Sequence, residues 1–101
     1  MNIFRPSPAF QAFFNAVIAT GEGAVTPGIY APAIPTFSNP RETFFTERVL
    51  VPFIATINLM KASVAPAVVT RTQEVLVYMQ YGMTLEEAEM QANVVATMST
   101  P

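Results

Sequence analysis

The sequence predicts a small, mainly α protein, and three observations carry that reading. Apolar residues recur at three- and four-residue spacing in separate blocks; a capping residue directly precedes a proline at Ser7-Pro8 and again at Asn39-Pro40; and Thr84 with Glu87 forms a capping box. The expected architecture is a four-helix arrangement in a single domain spanning 1–101. A proline-rich extended arm over 23–40 lies between helices one and two, and the second helix is kinked or broken at Pro52.

Helix one is expected from Pro8 to Thr20. Ser7 supplies the side-chain cap, Pro8 occupies the first helical position where a missing N–H costs nothing, and Gly21 is read as the stop. Phe10, Phe13, Phe14, Val17 and Ile18 form its apolar stripe. From Gly23 to Pro40 the pattern changes, because Pro27, Pro32, Pro35 and Pro40 deny the segment a regular helix. Thr26-Pro27-Gly28 reads as a turn, and the rest as extended chain. Disordered linkers are usually polar or charged, yet this arm has no charge and carries Val25, Ile29, Tyr30, Ile34 and Phe37. It is therefore expected to be ordered by packing on a surface.

Helix two starts after Asn39, with Glu42 in the first turn where the helix dipole favours an anion. Pro52 removes one backbone bond and clashes with the carbonyl four residues back, so a kink or break is expected near Val51. The β-branched run from Val49 to Leu59 makes a short strand the competing reading there. Ser63 is read as the cap of helix three, which begins between Val64 and Pro66 and ends at Gly82, with Val68, Thr72, Val75, Leu76 and Met79 as its stripe. Helix four runs from Leu85 to about Met98. On a wheel, Leu85, Ala88, Ala92, Val95 and Ala96 share one side, while Met90, Val94 and Met98 form a row on the opposite side. A helix with two apolar faces has to bury both.

Composition narrows the function. The chain is 51% hydrophobic and only 12% charged, against about 25% charged in an ordinary soluble domain. A domain of this size cannot cover so much apolar surface alone. Arg5, Arg41, Arg48, Lys61 and Arg71 are scattered in a chain of net charge −2, which argues against a phosphate-neutralising nucleic-acid patch. Neither Pro6–Gly21 nor Val49–Met60 reaches the roughly 20 apolar residues of a membrane span. Phe10 to Ala19, behind Arg5, resembles a signal peptide weakly, and Pro6, Pro8, Gln11 and Asn15 fit that reading poorly.

Histidine, cysteine and aspartate are absent, which removes the usual neutral-pH base, the thiolate nucleophile and most metal ligand sets. Glu86, Glu87 and Glu89 are accounted for by the first turns of a capped helix, and Lys61 with Ser63 by a helix end and a cap. Arg71 and Glu74 are spaced for a helix-surface ion pair. No catalytic, cofactor or metal site is expected. The expected function is that of a non-catalytic structural or interaction subunit packed into a larger multi-protein assembly, of the minor or cement type used in phage-like virions. Its partners are other protein subunits, in a homo- or hetero-oligomeric assembly in a virion or the cytoplasm. Val25, Ile29, Tyr30, Ile34, Phe37, Tyr81, Met90, Val94 and Met98 are the expected partner contacts. The competing expectation is an accessory subunit of a membrane complex, or a peripheral protein on one. It is less favoured because helix one has no lysine or arginine for its polar face.

Overall fold

The computed structural model describes residues 3–25 and 28–99. Four helices follow one another: α1 (Pro8–Gly21), α2 (Pro40–Met60), α3 (Pro66–Gln80) and α4 (Leu85–Ser99). No strand occurs among the described residues, so the Val49 to Leu59 run is helical. The expected turn at Thr26-Pro27 lies outside the described residues.

Local chemistry sets most of the helix ends. Ser7 Oγ accepts from the Phe10 amide at 3.2 Å, and Asn39 Oδ1 accepts from the Arg41 amide at 2.9 Å, each just ahead of a proline. Thr84 and Glu87 close the capping box in both directions, at 3.0 and 3.2 Å. α1 and α3 end in the same way, with a glycine of positive φ one residue beyond the cap. Gly23 (φ 87°) donates to Thr20 and Gly82 (φ 105°) to Met79, while the next residue's amide reaches back to Ala19 and to Tyr78.

Gly23, not Gly21, is therefore the stop of α1. Gly21 is the last helical residue, and it is buried because the Phe53 ring packs where a side chain would stand. Ser63 does not cap α3 either; that helix begins behind Ala65 with no side-chain cap, and Pro66 opens it. Val69 takes the buried place expected for Val68, which lies at the surface. Both valines sit in the first turn, so a helix start set by Pro66 decides which of them faces inward. On α4, Leu85, Ala88 and Ala92 are buried, whereas Val95 is half-buried and Ala96 is exposed, because the inward face is used only in the first two turns.

The break expected at Pro52 takes the form of a π-helical turn over Thr46–Leu50, inside an otherwise continuous α2. The Val51 amide bonds to the Thr46 carbonyl five residues back. This wider turn directly precedes Pro52, and it lets the helix continue past a residue that has no N–H to give to the preceding turn.

Phe10 is the centre of the core, fully buried with Phe4, Phe37 and Phe45 edge-on at 5.9, 5.5 and 5.5 Å and Phe14 tilted at 6.4 Å. The rings come from the N-terminal segment, α1, the arm and α2. Phe4 also donates its amide to the Met79 carbonyl at 3.2 Å, which ties the N-terminal segment to the end of α3. Glu42 is buried beneath the start of α1, accepting from the Ser7 amide at 2.7 Å and the Ser7 hydroxyl at 3.1 Å. α3 and α4 form an antiparallel hairpin across the short Tyr81–Thr84 turn. The whole is a plate with extents of 41 × 40 × 17 Å.

Candidate contact surfaces

The arm between α1 and α2 is pinned to its own chain at two points. Asn58 on α2 grips the Tyr30 backbone from both sides, its Oδ1 accepting from the amide at 2.6 Å and its Nδ2 donating to the carbonyl at 2.8 Å. Further along, Phe37 drops onto Phe10 and Phe13. Tyr30 and Phe37 are thus half-buried against the core, while Val25, Ile29 and Ile34 remain exposed, Ile29 at 85%. The arm shows one side to its own helices and an uncharged apolar side to the outside.

The Tyr30 bond pair gives a direct test of how the arm is held. Asn58→Ala is expected to cost about 1–2 kcal/mol, since the freed groups are only half-buried and water can replace part of what is lost. In hydrogen exchange, the Tyr30 amide should lose at least about tenfold in protection while α1 amides change only by the global loss. Unchanged protection at Tyr30 would mean that Phe37 alone holds the arm.

The second surface is the outer row of α4, where Met90, Val94 and Met98 are 68%, 47% and 79% exposed. Tyr81 stands exposed at the α3–α4 turn. The arm rests on α1 and α2, and the remaining sequence-expected residues stand on α4 and at the α3–α4 turn. A third lies along α2, where Phe44, Val51, Leu59 and Met60 are exposed, Leu59 at 84%; none of these is among the expected partner contacts, although the membrane alternative places the Val49 to Met60 segment in an interface. A break at Pro52 divides α2 into two short pieces; on a single wheel Phe44, Val51 and Leu59 share the side opposite Phe53 and Ile57, while Met60 does not. Of the methionines, Met79 is buried and Met83 partly buried, whereas Met60, Met90 and Met98 face outward.

Charged groups are occupied mainly in holding elements together. Arg48 on α2 lies 3.1 Å from Glu86 and 3.3 Å from Glu89 on α4. The Arg41 guanidinium lies 5.1 Å from the Phe4 ring centre. Arg71 donates to Asn93 on α4 at 2.9 Å and Glu74 accepts from the Tyr78 hydroxyl at 3.0 Å, so these take the place of the Arg71–Glu74 contact expected from spacing. The Glu74 hydrogen bond, aided by burial and by the nearby carboxylate charge, holds the Tyr78 hydroxyl above its ordinary pKa.

The capping box bonds from Thr84 hold Glu87 below its ordinary carboxylate value of 4.5. A folded-state pKa below the unfolded value gives stability that is present above the unfolded value and lost as pH falls through the folded one. Thermal melts should therefore separate the wild-type chain from Glu87→Gln at pH 7, with the difference shrinking as the pH drops below about 4.5. A difference that stays constant down to pH 3 would assign the effect to something other than the carboxylate.

A cleft of about 590 Å³ opens between α2 and the α3–α4 turn, with Met79 and Leu85 as apolar lining, Phe44 as another wall and Arg41, Arg48 and Glu86 also lining it. Its volume suits a small ligand or an apolar side chain of a partner. Arg48 is held by the two α4 carboxylates, and no group of three metal-ligating side chains occurs among the described residues. Compared with known proteins, the chain matches no family model, no curated protein and no solved structure.

Proposed function

We propose that this chain is a non-catalytic structural or interaction subunit of a larger protein assembly, of the minor or cement type used in phage-like virions. The observation that carries the reading is the amount and kind of surface left uncovered. The accessible area is 6168 Å², where a folded monomer of 11.0 kDa is expected to expose roughly 5,600 Å². The exposed side chains include Ile29, Ile34, Phe44, Leu59, Met90 and Met98, spread over arm, α2 and α4. Large exposed apolar surfaces on small chains mark contacts with other proteins or with lipid.

Sedimentation over a wide concentration range tests this reading, with self-association or co-sedimentation with a partner as the expected result. A well-folded monomer at millimolar concentration would overturn it. Ile34→Asp and the pair Met90→Glu, Met98→Glu should each weaken association at least about tenfold. Because these sites are exposed, stability should stay within about 0.5 kcal/mol of wild type. Equal damage to folding and to association would remove the case for separate contact faces.

One observation favours a second reading, an accessory subunit of, or peripheral protein on, a membrane complex. Taken separately, Val49–Met60 is too short to span a bilayer, but the continuous α2 is not. Pro40–Met60 has 21 residues at mean hydropathy 1.2 and is the one helix among the described residues long and apolar enough to cross a membrane. Against a span, α2 carries Arg41, Glu42, Glu47 and Arg48 in its first half, and Phe45, Leu50, Phe53 and Ile57 belong to the core. Flotation with liposomes separates the readings: recovery in the top fraction supports the membrane role, and a chain left at the bottom supports the soluble assembly.

A further inference from the structure

We infer that the end of the plate where α1 and α2 stop is a contact for a bilayer surface, made by Ile29, Leu59 and Met60 and needing no anionic lipid. The inference rests on the membrane-surface reading, the second of the two above, and names the part of the molecule that makes the contact.

Segments far apart in the chain meet at this end. α1 and α2 run the same way: Glu42, in the first turn of α2, bonds to Ser7 at the start of α1, and past the other end of α2 the Val64 amide donates to the Gly21 carbonyl at 2.9 Å. Asn58, in the last turn of α2, holds the Tyr30 backbone, so Ile29 and Leu59 flank the same pair of hydrogen bonds. These are the two most exposed large apolar side chains among the described residues. Met60, next to Leu59, and Val25, just past α1, are more than half exposed.

Charge is kept away from this end. α1 carries no charged residue, α2 none from Val49 to Met60, and α3 none from Pro66 to Thr70. Most of the remaining charge lies in the first half of α2 and at the start of α4. Lys61 and Glu22 are the two charged groups at the ends of α2 and α1; both are exposed, and their charges cancel. They set a shallow depth, with the protruding apolar side chains in the acyl boundary and the two charges at headgroup level, the Lys61 stem lying along apolar surface. With no basic cluster, attraction to anionic lipid adds nothing and buried apolar area carries the binding.

Shape favours lipid over a protein partner. A stable protein contact buries about 800 Å² on each side in a complementary patch, and the end of a layer 17 Å thick is narrow for that. A bilayer surface is fluid, closes round side chains that stand clear of the fold, and sets no such requirement.

The chain has no tryptophan, so one introduced at this end reports on it alone. In the full-length chain, Leu59→Trp is expected to shift its emission to the blue, and to be quenched by brominated lipid, when phosphatidylcholine vesicles are added. Met90→Trp on α4 should not change; an equal change at both positions would overturn the inference. Leu59→Asp should lower flotation with the same vesicles at least about tenfold, since a buried leucine is replaced by a charge. Circular dichroism checks that each variant remains folded. Flotation that requires phosphatidylglycerol in the vesicles would assign the contact to basic groups and likewise overturn it. If the wild-type chain floats while the Leu59→Trp emission stays unchanged, another surface meets the bilayer, and the inference falls while the membrane-surface reading stands. A chain that neither floats nor changes its emission overturns both.

Discussion

Phe10→Ala is expected to cost about 3–5 kcal/mol, the range for deleting a large aromatic side chain from a packed core. Phe10 is the one ring that touches contributions from the N-terminal segment, the arm and α2 at once, through Phe4, Phe37 and Phe45. Its loss leaves a void that these neighbours cannot all close, since each is anchored in a different element. Domains of this size have only about 5–15 kcal/mol of stability in total, so the variant should melt well below the wild type. With about 4–8 °C per kcal/mol, the drop should exceed roughly 12 °C in thermal denaturation followed by circular dichroism. A fall of less than about 5 °C would show that the ring cluster is less tightly organised than its geometry implies.

Glu42→Ala should cost on the order of 3 kcal/mol, for a different reason. The carboxylate accepts from both the amide and the hydroxyl of Ser7 and is itself fully buried, so its removal strands two donors at the start of α1 and opens a small void. Ser7 Oγ also caps α1 by accepting from the Phe10 amide, so the cap loses its anchor. Glu42→Gln is the informative control. Its amide oxygen still accepts from the Ser7 amide, and its NH₂ can donate to the hydroxyl oxygen, so the cost should fall to about 1 kcal/mol. Equal losses in the two variants would point to the charge, rather than the hydrogen bonds, as the source of stability.

How far the sequence announces this fold depends on how far apart the interacting residues are. The Phe10 to Ile18 stripe, the Ser7-Pro8 and Asn39-Pro40 starts and the Thr84–Glu87 box are all local, and each forms as spacing predicts. The π-helical turn is different. Proline announces a disturbance, but whether the chain breaks, kinks or widens depends on what the two halves of α2 pack against. Val68 and Val69 show the same limit on a smaller scale, since both are apolar and only tertiary packing selects the inner one. Arg71 and Glu74 satisfy a local spacing rule, yet each bonds elsewhere: Arg71 to α4, Glu74 to a tyrosine one turn on.

The exposed apolar surfaces follow the same division. Met90, Val94 and Met98 are exposed as a helical wheel requires. The arm's lack of charge signals that it needs a surface, but the surface it finds is Asn58, 28 residues from Tyr30 in the chain, and no local pattern links the two. The exposed side of α2 is less legible, because Pro52 announces two short pieces where the structure has one helix.

The 17 Å thickness of the plate bears on how well the fold shields its own core. That depth accommodates little more than two layers of helix. Anything that binds only the closed form of so thin a layer lowers the population of its open form by mass action. Resistance to limited proteolysis is then expected to rise whenever a broad face is covered.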